Sequence, residues 1–192
     1  MKLYGVIPPM VTPFDANGDV DFPGLEKLVD HLSERVDGLF VCGSYGSGPL
    51  MDASERMAVA EACLASTRKR VPVIVHTGAA SSRQAAGLSA HAAASGATAV
   101  SAVAPYYFHH DSAGVLDYYR AILSSVPAGF PVYVYHNPRF SGYEIDLPTL
   151  RILADEGIAG IKDATFDIGK FALYQRELEP RGLDIVLGTE SM

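Results

Sequence analysis

Short apolar runs punctuate the chain at 5–12, 38–43, 71–77, 97–105, 131–136, 158–162 and 183–188, each too short for a helix. They read as strands buried on both faces, which points to a mostly parallel sheet. The stretches between them carry helix signals. Leu25, Leu28, Val29, Leu32 and Val36 form an i, i+3, i+4 stripe, and Asp52 with Glu55 three residues on makes a capping box for the next helix. Ser81 or Ser82 can cap an alanine-rich helix ending near Gly96, and Asp146 caps another with Pro148 in its first turn. Asp167 starts the sixth predicted helix, which Pro180 and Gly182 close.

Seven strands alternating with helices fit an open doubly wound sheet or a (β/α)8 barrel without its last strand. Polar and glycine groups follow strand after strand on what would be one rim: Gly43-Ser44-Tyr45-Gly46, Thr77-Gly78, Tyr106-Tyr107, His136-Asn137 and Gly188-Thr189. A barrel gathers its strands' C-terminal ends around one site, whereas an open sheet uses chiefly its switch point. The rim pattern therefore predicts an α/β fold of TIM-barrel type, with about seven strands in this chain. No internal linker appears, so residues 1–192 are expected to form a single barrel domain, one that stops after the seventh strand although such barrels typically need about 250 residues.

Composition narrows the function classes. A 48% hydrophobic content without a low-complexity tract predicts a globular core rather than disorder. The net charge of −7 and a pI near 5.3 leave no basic face for nucleic acid or anionic lipid. With no signal-type segment and no run of transmembrane length, a cytoplasmic protein is expected. Cys42 and Cys63 lack ligand spacing and are expected to be reduced core thiols. Adjacent His109 and His110 point apart, and no third ligand has the usual spacing, so no metal is expected.

Lys162 ends the apolar run that begins at Gly157, and Tyr135 ends the run that begins at Pro131. A lysine where a buried strand stops is costly to desolvate unless its amine is neutral or paired. An amine with a reference pKa of about 10.4 is less than a thousandth neutral at pH 7, and burial raises that fraction, which imine chemistry requires. A tyrosine phenol nearby can move the protons of imine formation, although it can equally be a buried aromatic with its hydroxyl tied to a carbonyl. The loop from Gly43 to Gly48 offers backbone N–H groups and the Ser44 hydroxyl to a carboxylate. Its order, GxxGxG, fails the dinucleotide fingerprint, and no GK[ST] follows.

Several spaced motifs together resemble the dihydrodipicolinate synthase and N-acetylneuraminate lyase superfamily, pyruvate-dependent class I aldolases on a TIM barrel. They are Gly5-Val6-Ile7-Pro8 through Val11-Thr12-Pro13-Phe14, the Gly43-Ser44-Tyr45-Gly46 loop, Pro105-Tyr106-Tyr107, Tyr135-His136-Asn137-Pro138 and Gly160-Ile161-Lys162-Asp163. The resemblance implies that Lys162 is the Schiff-base lysine and Tyr135 the proton-relay phenol. It implies that Ser44 and the Tyr45 amide, with Gly46 beside them, hold the keto acid's carboxylate. Tyr107 matches a tyrosine that completes a relay across a subunit interface, and Thr165 and Gly188 match pocket-lining residues. A pyruvate ligand, no cofactor and a homodimer or homotetramer follow from the same resemblance.

The chain departs from the family pattern at three places. Tyr45 replaces the loop's usual threonine, and Phe140 stands where the synthases carry an arginine for the aldehyde's carboxylate, with Arg139 adjacent. Ser47-Gly48-Pro49 replaces the usual acidic residue after the loop and, with Lys162-Asp163, looks nearer to 2-keto-3-deoxygluconate-type aldolases. A fourth departure is length. The expected activity is thus aldol cleavage or synthesis between pyruvate and an aldehyde. Dihydrodipicolinate synthesis, an imine-dependent dehydratase or hydratase, and a noncatalytic keto-acid-binding module are the alternatives.

Overall fold

The structure, a computed structural model, describes residues 2–189. Its sheet takes the strands in chain order: β1 (Leu39–Val41), β2 (Val73–His76), β3 (Ala99–Val103), β4 (Val132–His136), β5 (Gly160–Asp163) and β6 (Asp184–Leu187). The β1–β2, β4–β5 and β5–β6 pairs are parallel. Helices fill the connections: α1 (Phe22–Ser33), α2 (Ala53–Thr67), α3 (Ser82–Ala94), α4 (Ser112–Ser125), the short α5 (Pro138–Ser141), α6 (Leu147–Asp155) and α7 (Ile168–Leu178). This is the β/α alternation of a TIM barrel.

Six strands form among the described residues in place of the seven expected. The first apolar run contributes a single parallel bridge, Pro9 to Phe40. Prolines are the reason: Pro8 and Pro9 have no N–H to give a ladder. The Met10 N–H donates to Phe40 (2.9 Å), and the Pro8 carbonyl accepts from Phe40 (3.1 Å). The α1 stripe also ends early, because Glu34 caps the helix two residues before Val36.

The chain divides into two compact units. One holds residues 4–77 and 87–100, with β1, β2, α1 and α2. Its α2 carries the expected capping box, with Asp52 accepting from the Glu55 N–H and Glu55 reaching back to the Asp52 N–H. The described residues of the other are 2–3, 78–86 and 101–189, with β4, β5, β6 and α4 to α7. Asp146 caps α6, Asp167 caps α7 and Ser81 accepts from the Gln84 N–H at the start of α3, as their positions predict.

Period-two alternation sorts the second unit's strands into two faces. Tyr133, Gly160 and Asp184 are in register on one face, and Tyr135, Lys162 and Val186 lie on that same face one pleat further on. The Tyr133 hydroxyl donates to the Asp184 carboxylate (2.9 Å), which also accepts the Leu3 N–H (2.8 Å). Gly160 lets the Tyr133 ring lie there, since a Cβ at 160 would stand 2.4 Å from it. On the opposite face His136 and Asp163 are fully buried beside Tyr174 of α7.

Candidate active site

Tyr135 and Lys162 are Cα partners across β4 and β5, so their side chains leave the sheet side by side. The Lys162 ammonium nitrogen lies 3.7 Å from the centre of the Tyr135 ring. Lys162 is half-buried and Tyr135 is buried, packed with Val103, Ala164 and Tyr106. Gly188, just past β6, closes this corner: its N–H donates to the Asp163 carbonyl (2.7 Å). A Cβ on Gly188 would stand 2.8 Å from that carbonyl and 3.1 Å from the lysine nitrogen, so only glycine lets the backbone pass so near the amine. Three residues expected to share a site are thereby brought together: Lys162, Tyr135 and Gly188.

Asn137 also reaches the phenol, a contact that the sequence reading missed. Its Oδ1 accepts the Arg139 N–H (3.2 Å), which orients the amide so that Nδ2 donates to the Tyr135 oxygen (3.0 Å). The bond uses a lone pair of the phenol and not its proton. A signal was present: Asn before Pro marks a helix start, and Asn137-Pro138 begins α5.

Thr165 follows β5 and is held by Asp163, whose carboxylate accepts both the Thr165 N–H (3.1 Å) and hydroxyl (3.2 Å). Burial raises the Asp163 carboxyl, and the Thr165 hydrogen bonds oppose that. Tyr107 is not gathered with these groups in the same way. It is 87% exposed at φ +84°, its ring edge-on to Phe108 at 4.9 Å. A non-glycine residue in that region is uncommon and marks a conformation that the surroundings impose. The Tyr143 hydroxyl ties down the neighbouring Pro105 carbonyl (2.8 Å).

The expected carboxylate loop belongs to the first unit. Ser47 and Gly48 N–H groups close it on the carbonyls of Ser44 (3.2 Å) and Gly43 (3.0 Å), bonds that do not use the Ser44, Tyr45 and Gly46 amides. Thr12 donates to the Gly46 carbonyl (2.7 Å). Gly48 is obligatory, because a Cβ there would lie 1.8 Å from the Cys42 carbonyl oxygen. Tyr45 is 62% exposed, while Ser44 is half-buried.

Beneath β4, His136 accepts the Ile145 N–H at Nε2 (3.3 Å) and meets the Tyr174 hydroxyl at Nδ1 (3.2 Å). Burial pushes the imidazole down to about 4, with Glu144 opposing and Lys170 reinforcing that shift. The unfolded chain therefore protonates first as pH falls. Stability due to neutral His136 is complete above its unfolded pKa of about 6.5 and is lost as pH drops towards about 4, by roughly 3 kcal/mol. Asp163, raised by burial, acts in the opposite sense, so the effect is read as a difference. Thermal melts of wild type and His136→Gln between pH 7 and 4 should converge as pH falls; parallel curves would contradict it.

Among the described residues no cluster of three or more His, Cys, Asp or Glu side chains could hold a metal, and no helix is long and apolar enough to cross a membrane.

Strand order, parallel pairing and intervening helices define a TIM-barrel protein. The chain belongs to the dihydrodipicolinate synthetase family, whose pattern it matches over residues 2–190. It is 39% identical over 173 residues to an uncharacterised DapA-like lyase of Halobacterium salinarum, covering 88% of this chain and 55% of that protein. It is 37% identical over 162 residues to YagE of Escherichia coli K12, provisionally named a 2-dehydro-3-deoxy-D-gluconate aldolase, covering 83% and 53% of the two. The crystal structure of YagE in complex with pyruvate matches 95% of this chain and 69% of its own, with 30% identity and a TM-score of 0.88. Dihydrodipicolinate synthase from Aquifex aeolicus matches 98% and 64%, with 27% identity and a TM-score of 0.92. The chain spans little more than half the length of the curated relatives it matches.

Proposed function

We propose that this protein is a class I pyruvate-dependent aldolase in which Lys162 forms an imine with the ketone of a 2-keto acid. The observation that carries this reading is the in-register pair: an amine and a phenol on adjacent strands, with the nitrogen 3.7 Å from the ring centre. The Lys162 lone pair attacks C2, and the carbinolamine loses water to give an iminium. That cation gains from the same ring face that holds the ammonium. Tyr135 gives its proton to the departing carbinolamine hydroxyl, and in the cleavage direction the resulting phenolate takes the proton of the C4 hydroxyl, the C3–C4 bond breaks, and its electrons enter the iminium to form an enamine. The aldehyde leaves, C3 regains a proton, and water releases pyruvate. The iminium is itself the electron sink, so no cofactor is required.

The family resemblance assigns the substrate carboxylate to Ser44 and the Tyr45 amide, with Gly46 beside them. Thr165 and Gly188 line the pocket, and Tyr107 extends the proton relay, an assignment that rests on the family resemblance. A 2-keto-3-deoxy sugar acid is the favoured substrate. Phe140 offers no charge to an aldehyde's carboxylate, and the provisional name of YagE points the same way. The same proposal takes residues 1–192 as one barrel domain acting as a homo-oligomer in the cytoplasm. Its two cysteines are buried and unbridged, with burial pushing the Cys42 thiol up to about 12.

Incubation with a panel of 2-keto-3-deoxy sugar acids tests the reaction type. Pyruvate and an aldehyde should appear in equal amounts. A dehydrated acid without pyruvate would assign the imine to a dehydratase, and turnover restricted to aspartate semialdehyde with pyruvate would restore the synthase.

A further inference from the structure

Arg56 lies on α2, is only 3% exposed and has no part in the chemistry above. A buried guanidinium is expensive and persists where hydrogen bonds and a use for its charge offset the desolvation. Its Nη2 donates to the His76 carbonyl at the end of β2 (2.7 Å). The His76 ring nitrogen Nδ1 is 3.2 Å from the Cys42 carbonyl, a contact that requires a proton on Nδ1 because a carbonyl only accepts. The longer approach of Arg56 Nη2 to Nδ1, 3.5 Å, is then a contact and not a hydrogen bond. Cys42 completes the circuit by directing its thiol at the Arg56 carbonyl (3.6 Å).

Cys42 is where the glycine-rich loop begins. It holds φ +58°, in the left-handed region, and its carbonyl is the atom that Gly48 must avoid. The Arg56–His76–Cys42 circuit therefore fixes a strained residue two positions before Ser44. The Arg56 charge is felt there too, since it favours the thiolate of Cys42 against the larger effect of burial.

We propose that Arg56 is a positioning residue for the Ser44–Gly46 loop, holding its strained entry at Cys42 and supplying buried positive potential that favours a substrate carboxylate. This rests on the aldolase reading and is tested apart from it. Imine formation is trapped with borohydride at increasing concentrations of pyruvate or of methyl pyruvate, the uncharged ester of the same ketone. In Arg56→Gln the half-saturating pyruvate concentration should rise about tenfold, and that of methyl pyruvate should move less than about twofold. Arg56→Lys, which keeps the charge, should recover most of the pyruvate preference.

Equal weakening for both ketones, or no change for either, overturns the proposal while leaving the aldolase reading intact. A wild type trapped by neither ketone removes both. Should Arg56→Gln not fold, Arg56→Met and Arg56→Lys decide between them. Met retains the packed stem without the charge and should lose the preference for pyruvate over its ester, whereas Lys should keep it; a lysine variant without that preference contradicts the proposal.

Discussion

Lys162→Ala should abolish pyruvate release from a keto sugar acid, lowering kcat by at least about a thousandfold, while leaving the protein folded. The residue is half-buried at the end of β5, and its side-chain nitrogen lies over the Tyr135 ring. Removing it forfeits one cation–π contact and some packing, about 1–2 kcal/mol of stability, against loss of the nucleophile itself. Lys162→Arg separates the two effects. It restores the charge over the ring but cannot form the imine, because guanidinium does not deprotonate. Activity that survives Lys162→Arg would remove the imine mechanism, since a charge alone would then suffice.

Tyr135→Phe should lower kcat by about a hundredfold to ten-thousandfold with little change in melting temperature. The ring stays over Lys162 and against Val103 and Ala164, and only the hydroxyl is lost. That deletion leaves the Asn137 amide with one fewer acceptor, worth about 1 kcal/mol. The rate effect is larger because the same hydroxyl must carry protons in both imine formation and carbon–carbon cleavage. Imine formation should slow as well as cleavage, which pre-steady-state trapping measures separately. A variant that forms imine at the wild-type rate would assign the proton relay to another group.

Much of this arrangement was legible in the sequence. Lys162 and Tyr135 each end an apolar run, and strands whose sheet is parallel bring such ends to one rim. The helix caps at Asp52, Asp146 and Asp167 were equally readable, because each places a carboxylate where orphan N–H groups begin. The run from 5 to 12 misled because hydrophobicity cannot register the donors that Pro8 and Pro9 lack. Contacts that depend on the third dimension were also hidden. Arg56 on His76 is set by a chain crossing and Asn137 on the phenol by a rotamer, whereas Asp163 accepting from Thr165 two residues on is a local turn.

Reductive trapping addresses the central claim without needing the right aldehyde. The protein is incubated with pyruvate and borohydride, digested, and mapped by mass spectrometry. A reduced pyruvyl adduct should be found on Lys162 in wild type and be missing from Lys162→Arg. Folded wild-type protein with Lys162 unmodified at saturating pyruvate, or with the adduct on another lysine, would contradict it.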